Sequence, residues 1–167
     1  MLIITDSLSK LSFSQLMEVY IEGNRENGEE NYPDCSAAEQ LLYAEQDFYN
    51  YLRSVFFQQR GSFYAIWLDD GCYKAALRVE PYHDGYILCG LETRPEARRQ
   101  GYATILITEV IKFLSKKSPG VLYSHISKKN TASLKAHYKC GFEKILEHAI
   151  YTDGSVITSS YTVVIRY

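Results

Sequence analysis

The sequence lacks the features of a membrane or secreted protein. No apolar run approaches the roughly 20 residues of a membrane-spanning helix, and the first residues have neither the basic flank nor the long apolar stretch of a signal peptide. Its four cysteines are scattered, with no Cys-x-x-Cys pair and no histidine at metal-ligand spacing. This argues against a zinc site or a disulfide framework. We therefore expect a cytoplasmic protein with no membrane partner and no metal.

Two nucleotide-binding motifs are also missing. No Gly-x-Gly-x-x-Gly follows the first strand-like segment, and no Gly-Lys-Ser or Gly-Lys-Thr occurs. These absences weaken the case for a dinucleotide enzyme or a nucleoside-triphosphate enzyme. The chain has no basic excess either, because its net charge is −2 and its basic residues are concentrated in one segment. Nucleic acid is therefore not an expected partner.

The chain is long enough to fold around a core, but its charge is unevenly divided. With 167 residues, of which 46% are hydrophobic, we predict a single domain over 1–167. Residues 1–93 carry 15 acidic and 6 basic side chains, a balance of −9, whereas residues 94–144 carry 3 and 11, a balance of +8. The division indicates a basic half that meets an anion and an acidic half that meets a cation, or simply solvated helix faces.

Hydrophobic spacing and turn residues predict the order of elements. A strand over 1–4 and a helix over 12–23 precede a polar loop over 24–34, and Ser36 with Glu39 forms the capping box of a helix that ends near residue 60. The remaining elements are strands over 63–68, 73–80, 85–93, 121–126, 144–151 and 157–166, and helices over 103–117 and 131–139. This order predicts an α+β or mixed α/β fold. The final strands offer an exposed edge at 163–165, so both a monomer and a homodimer remain open.

The most informative segment runs from Arg98 to Ala103 and reads Arg-Arg-Gln-Gly-Tyr-Ala, between a strand-like run and an amphipathic helix. The free N–H groups at a helix N-terminus point at whatever lies in front of them, and the helix dipole favours an anion there. Gly101 lets the backbone approach a ligand closely, and Ala103 keeps the next turn small. A strand, a basic turn and a helix start in this order are typical of a pyrophosphate site.

Two motifs resemble those of the GCN5-related N-acetyltransferase (GNAT) family. Arg98-x-x-Gly101-x-Ala103 matches the acetyl-CoA signature Arg/Gln-x-x-Gly-x-Gly/Ala. The second signature, Asn-x-x-Ser/Ala-x-x-x-Tyr-x-Lys-x-Gly-Phe, is met by Asn130, Ser133, Lys139, Gly141 and Phe142. The resemblance implies a GNAT-like acyl-CoA N-acyltransferase fold, with a central twisted, mostly antiparallel sheet flanked by about four helices. It also implies direct transfer of an acetyl group from the co-substrate acetyl-CoA to an amine.

The resemblance further implies which residues hold the donor. The backbone of Leu91, Glu92 and Thr93 is expected to pair with the pantetheine arm as another strand would. The pyrophosphate is expected to lie against the N–H groups of Arg99, Gln100, Gly101, Tyr102, Ala103 and Thr104, with Arg98 or Arg99 adding charge. Asn130 and Ser133 are assigned to the same site, although Asn130 also fits a helix N-cap.

One position departs from the family pattern, because His137 stands where the family has its tyrosine. Tyr138 follows one residue later, about 100° around the helix, and does not simply inherit the role. His137 is a candidate acid for the leaving thiolate, and Tyr138 is a second candidate or a packing partner of Leu134. Because a thiol has a pKa near 8.5, water is an alternative proton source. The missing tyrosine also keeps open a non-catalytic acyl-CoA-binding sensor.

The general base and the acceptor are less clearly indicated. Glu92, Glu80 and His125 are candidate bases, but a single β-bulge would reverse which way each one faces. The amine could also enter neutral or lose its proton to water. Carboxylates and aromatic rings between residues 26 and 51 suit a cationic amine, on a small molecule or a peptide, although aromatics at helical spacing equally fit a core.

Overall fold

The computed structural model describes all 167 residues, which form an α+β fold with a seven-stranded sheet, a two-stranded sheet and five α-helices. The strands are β1 (Leu2–Thr5), β2 (Phe63–Asp69), β3 (Cys72–Tyr82), β4 (Gly85–Thr93), β5 (Val121–Ser127), β6 (Glu143–Leu146), β7 (Ala149–Ile150), β8 (Val156–Ile157) and β9 (Ser160–Arg166). The helices are α1 (Phe13–Val19), α2 (Ile21–Asn31), α3 (Ala37–Ser54), α4 (Tyr102–Ser115) and α5 (Thr131–Lys139). None of these helices combines the length and apolar composition that crossing a bilayer requires.

The large sheet has the strand order β1-β2-β3-β4-β5-β9-β6. Every neighbouring pair is antiparallel except β4 and β5, so the mostly antiparallel sheet predicted from the resemblance is confirmed. The prediction of an exposed edge at 163–165 is wrong. β9 lies between β5 and β6, because Val163 and Val164 pair with both neighbours, and the sheet instead ends at β1 and β6.

Two helical layers cover opposite faces of the sheet. On one face, α4 buries Leu106 and Val110 against Leu77 of β3, with α5 beside it. On the other face, α1 and α3 bury Leu16 and Leu52 against β2 and β3. The apolar stripes of α1, α3 and α4 account for this arrangement, since each helix must bury its stripe on the sheet.

The polar segment predicted as a loop over 24–34 instead forms most of α2, and this corrects the sequence-based prediction. Local composition favoured a loop, but packing against α3 determines the structure. A Cβ on Gly28 would lie 2.5 Å from the carbonyl oxygen of Gln40, so the glycine lets the two helices approach closely. The Gln40 side chain donates a hydrogen bond of 3.0 Å to the carbonyl of Tyr32 at the end of α2, and Asn24 is buried.

Two further boundaries differ from the predictions. The capping box at Ser36 and Glu39 is confirmed, but α3 ends at Ser54, and the chain then turns to bury Phe56 in the core. The single strand predicted over 144–151 is broken, because the chain leaves β9 after Leu146. It then forms a separate small hairpin of β7 and β8.

A β-bulge in β4 determines which way the residues near the site face. The register places Arg78 opposite Cys89 but Ala76 opposite Glu92, so Gly90 and Leu91 together oppose one residue of β3. Gly90 has φ +55°, a conformation that glycine adopts without strain. The extra residue turns Leu91 towards the core under α4 and Glu92 towards α1 and α2.

Candidate active site

The sheet is split at its centre, next to the bulge. Parallel pairing of β4 with β5 stops at Leu88 and Ser124, although β4 continues to Thr93 and β5 to Ser127. The β5-facing backbone edge of β4 beyond Leu88 therefore has no strand partner. An unpaired strand edge is a template for an extended, amide-containing ligand.

A concave group of backbone N–H donors, from Arg99 to Thr104 and here called the N–H cradle, lies beyond the end of β4. The N–H groups from Arg99 to Thr104 donate no hydrogen bond within the protein, and the first intrahelical bond of α4 is donated by Ile105. Positive φ angles at Arg99 (+61°) and Gly101 (+86°) curl this segment, and nothing lies within 4 Å of a Cβ built on Gly101. Free N–H groups in such a turn, at a helix N-terminus, form an anion-binding concavity.

A cavity of about 590 Å³ joins these two features. It brings together most of the predicted donor residues: Leu91, Glu92, Thr93, Arg98, Arg99, Gly101, Tyr102, Ala103, Asn130 and Ser133. Gln100 and Thr104 do not line it. The Gln100 side chain donates a hydrogen bond of 3.2 Å to the carbonyl of Glu96, and the backbone N–H groups of Gln100 and Thr104 have no partner in the protein.

Asn130 both caps a helix and lies at the wall of the cavity. Its side-chain oxygen accepts a hydrogen bond of 3.0 Å from the N–H of Ser133, which caps the N-terminus of α5. The same side chain lines the cavity. The cap therefore holds Asn130 at the cavity wall rather than competing with a role there.

Glu92 is the half-buried carboxyl group of the cavity. Burial raises its pKa, the guanidinium of Arg98 lowers it, and the carboxylates of Glu22 and Glu26 raise it further, with a net upward shift. A carboxyl group whose pKa is raised in a cleft is suited to accept a proton near neutral pH. Glu80 and His125, the other candidate bases, do not line this cavity.

Two arginines join α1 and α2 to the segment after β4. Arg98 forms an ion pair of 2.5 Å with Glu22, and Arg94 forms one of 2.8 Å with Glu18. Arg98 is thus engaged by a carboxylate of α2, whereas Arg99 forms no ion pair and remains available to an anion in the cradle. The acidic half of the sequence (1–93) and the basic half (94–144) therefore meet at these two ion pairs.

His137 lies outside the cavity lining, in the core beneath α5. Its side chain is 1% exposed, and its ring packs edge-on against Phe142 with centroids 5.0 Å apart. Nδ1 lies 2.8 Å from the carbonyl of Ser133, which requires a proton on Nδ1 and leaves Nε2 as a buried acceptor without a partner. Burial lowers the pKa of His137, which favours the neutral ring at pH 7.

Tyr138 does not line the cavity either, and its side chain is 44% exposed. Sequence reasoning missed four residues that do line it, Glu22, Gly23, Ala132 and Ala136. Glu22 and Glu26 are four residues apart on α2, and Ala132 and Ala136 are four apart on α5. Spacing of four residues was therefore the signal that could have placed each pair on one helix face. On α2 the polar composition, which predicts a loop, concealed it.

Residues 17–142 match the Acetyltransferase (GNAT) family, and the chain belongs to this family. Family membership makes acetyl-CoA-dependent acetyl transfer its class of activity. The free N–H groups of the cradle and the open edge of β4 fit the pyrophosphate and the amide groups of that donor. No curated protein matches the sequence.

Solved structures of acetyltransferases share the fold at low sequence identity. The PaiA N-acetyltransferase of Thermoplasma acidophilum, in complex with coenzyme A, is 18% identical, with a TM-score of 0.60 over 100% of this chain and 99% of that one. The ribosomal-protein-S18-alanine N-acetyltransferase of Escherichia coli is 18% identical, with a TM-score of 0.59 over 99% and 94%. The ribosomal-protein-alanine N-acetyltransferase of Brucella melitensis is 17% identical, with a TM-score of 0.61 over 99% of both chains.

Proposed function

We propose that this chain is an N-acetyltransferase that moves the acetyl group of acetyl-CoA directly to a primary amine in a ternary complex. The observation that carries the proposal is the position of Glu92. Its carboxyl group shares one cavity with the N–H cradle and lies on the strand whose free edge would hold the pantetheine arm. A base beside a donor site is the arrangement that amine acylation needs.

Glu92 removes the proton from the attacking ammonium group. Its raised pKa brings it nearer to the working pH, which improves proton transfer. The carboxylate of Glu26, which forms no ion pair, faces the same space and attracts a cationic amine before it loses its proton, whereas the charge of Glu22 is neutralised by Arg98. The acceptor is a small molecule or a peptide that presents a primary amine.

The acetyl group passes to the amine without an acetyl-cysteine intermediate. Burial raises the pKa of the Cys89 thiol to about 12 and also raises that of Cys140, so neither forms a thiolate readily. For the departing thiolate, neither His137 nor Tyr138 offers a proton into the cavity, and water is the proton source. Because an ordinary thiol has a pKa near 8.5, the thiolate can leave before it is protonated, and protonation by water costs little free energy.

Thermal unfolding with acetyl-CoA, followed by an amine panel, tests this function. Acetyl-CoA at 100 times its dissociation constant adds about 2.7 kcal/mol and raises the Tm, whereas NAD and ATP serve as controls and are expected to add little. Turnover is then measured as free coenzyme A released with each amine. Absence of an acetyl-CoA shift at millimolar donor would contradict the proposal.

A matched pair of glycine variants locates the donor site. Gly101→Val and Gly154→Val both place a branched residue at φ near +85°, in open space, so both lose a similar stability of about 1–3 kcal/mol. Only Gly101→Val introduces a side chain into the cradle, and only it is expected to lose the acetyl-CoA-induced Tm shift. A normal shift in Gly101→Val would place the pyrophosphate elsewhere.

A non-catalytic acyl-CoA sensor is the second candidate function. It is favoured by the positions of His137 and Tyr138, since neither lines the cavity, and the hydroxyl of Tyr102, which does line it, is engaged by Asp69. Turnover of any amine above the rate of the Glu92→Gln variant would exclude it. Cytoplasmic location and the choice between monomer and homodimer stay predictions.

A further inference from the structure

Arg78 on β3 is a half-buried cation that no anion of the protein neutralises. Its guanidinium lies 5.0 Å from the ring centroid of Tyr51 and 5.8 Å from that of Phe56. Its Nε atom is buried and has no hydrogen-bond partner, and the side chain forms no ion pair within 4.0 Å. A buried guanidinium N–H without a hydrogen-bond acceptor costs free energy, so this donor is free for an acceptor on a ligand.

The residues around Arg78 do not supply the missing anion. The hydroxyl of Tyr20 is occupied, because it donates a hydrogen bond of 2.6 Å to the carbonyl of Gly90. Glu80, two residues further along the same face of β3, is the nearest carboxylate on that strand but makes no ion pair with Arg78. The Cys89 thiol, opposite Arg78, is kept protonated by burial.

Arg78 lies directly beside the bulge of β4. A Cβ built on Gly90 would be 3.3 Å from both Nε and Nη2 of Arg78, so this glycine is what admits the guanidinium. Ala76 opposes Glu92 and Arg78 lies two residues further along β3, so Arg78 and Glu92 share one face of the sheet. In a regular antiparallel pair, diagonal positions of this kind are about 7–8 Å apart, with their Cβ atoms somewhat closer.

We propose that Arg78 binds a carboxylate of the acceptor, so that the substrate is an amino carboxylate. The inference rests on the proposed function, because it takes Glu92 as the group that receives the amine. Arg78 does not line the cavity that Glu92 lines, so the acceptor reaches it along the bulge at Gly90, which lies against the guanidinium. Because Glu92 and Arg78 are diagonal neighbours on one face of the sheet, the compound that joins them is short. The amine and the carboxylate are therefore on the same carbon atom or on neighbouring ones, as in an α- or β-amino acid.

The chemistry of Arg78 favours a carboxylate over a phosphate. Its planar guanidinium offers parallel N–H donors that match the two oxygens of a carboxylate. No Lys or Arg occurs on the adjacent strands β2 and β4, so a dianion would meet only one positive charge. The ammonium and carboxylate of an amino acid also suit an environment in which Glu92 and Arg78 carry opposite charges.

The test compares amines that differ only in a carboxylate. The wild-type protein is assayed with the twenty α-amino acids and β-alanine, and each accepted compound is compared with its decarboxylated amine, such as phenylalanine with phenethylamine or lysine with cadaverine. We expect kcat/KM to be 10- to 100-fold higher for the member with the carboxylate. Equal or higher kcat/KM for the decarboxylated amines would overturn the inference, as would acetyl-CoA binding with no turnover of any amino carboxylate.

Variants of Arg78 assign that preference to the residue. Arg78→Met is expected to lose 10- to 100-fold in kcat/KM for the amino carboxylate and less than threefold for its decarboxylated partner, and Arg78→Lys recovers part of the loss. Glu80→Gln, a control on the same face, is expected to retain the preference. Equal losses for both members of a pair would show that Arg78 is only a packing residue.

Failure of the inference and failure of the proposed function give different results. Without an acetyl-CoA-induced Tm shift, or without turnover of any amine, the proposed function fails. A normal shift with turnover confined to amines that lack a carboxylate overturns the role of Arg78 alone. The comparison in the wild-type protein holds even if Arg78→Met does not fold.

Discussion

The carboxyl group of Glu92 reaches the cavity because β4 contains one residue more than regular pairing with β3 allows. Strand alternation without the bulge would turn Glu92 under α4 and Leu91 towards α2, which would remove from the cavity the half-buried carboxyl group that we propose as the base. The bulge also determines the chemistry of the group, because it places the carboxyl between Arg98 and two glutamates of α2.

Replacing Glu92 tests its role as the base. Glu92→Gln is expected to lower kcat/KM by about 10²–10⁴-fold, the usual contribution of a general base. In the wild type, kcat/KM rises with pH as Glu92 ionises, at a pH above the ordinary glutamate value of 4.5.

Glu26→Gln removes a negative charge that raises the pKa of Glu92, so the rise in kcat/KM is expected to move to lower pH. A Glu92→Gln enzyme with the wild-type rate and profile would exclude the role.

The same substitution is expected to stabilise the fold at neutral pH. Because folding raises the pKa of Glu92, ionisation of this group costs stability above that pKa, and the cost disappears below the unfolded value. The Tm of Glu92→Gln should exceed that of the wild type at pH 7, and the difference should vanish near pH 4. Calorimetry at both pH values measures this, and a lower Tm at pH 7 would contradict it.

His137 is expected to matter for stability rather than for rate. His137→Ala removes a buried ring that packs on Phe142, which should cost about 2–5 kcal/mol. The rate per folded molecule, measured below the lowered Tm, should stay within a few-fold of the wild type. Tyr138→Phe is the exposed neighbouring control, with little effect on either quantity. A large loss of kcat in His137→Ala with unchanged donor affinity would restore its role as the acid.

At the level of elements, α2 is where packing overrides local sequence. Gly28→Ala forces a Cβ to within 2.5 Å of the Gln40 carbonyl oxygen and should destabilise the protein and move Glu22 and Glu26. Gly23→Ala, in the same helix with nothing within 4 Å, should stabilise it by about 0.5–1 kcal/mol. Denaturant unfolding of both variants checks this, and equal effects would contradict the close packing of α2 on α3.

Elements could be predicted where their signals are local. The turn and helix start at Arg98–Ala103 and the capped helix after Asn130 are encoded by contiguous residues, and the structure contains both. That the turn binds the donor stays a prediction. The bulge at Gly90, the path of α2 and the position of β9 depend on residues far away in sequence, so periodicity alone does not reveal them. For the same reason the predicted pair of His137 and Tyr138 is not in the cavity, since a motif position does not state which side of α5 faces the donor.

For the molecule as a whole, the acidic and basic halves of the sequence form the helical layers on opposite faces of the sheet. The acidic half contains α1, α2 and α3, the basic half contains α4 and α5, and the cavity lies where α2 approaches the start of α4 and α5. Under the proposed function, each substrate meets the potential that attracts it, the polyanionic donor on the basic side and the ammonium group on the acidic side.

Donor binding is accordingly expected to depend on salt. Raising NaCl from 0.05 to 0.5 M should weaken coenzyme A binding by about three- to tenfold, because screening acts on exposed charges such as that of Arg99. Pantetheine, which lacks the phosphates, is the control and should show little change. Titration calorimetry measures both, and equal salt dependence would place the phosphates away from the basic half.

The unpaired edge of β4 has a consequence for how such a protein diversifies. Main-chain N–H and C=O groups are present whatever the side chain, so substitutions along Leu91–Thr93 leave that edge intact as long as the strand forms. A lineage can therefore rewrite the side chains that face the acceptor while inheriting donor recognition unchanged. Under the proposed function, the backbone of β4 recognises the donor, and the side chains around it determine which acceptor is used.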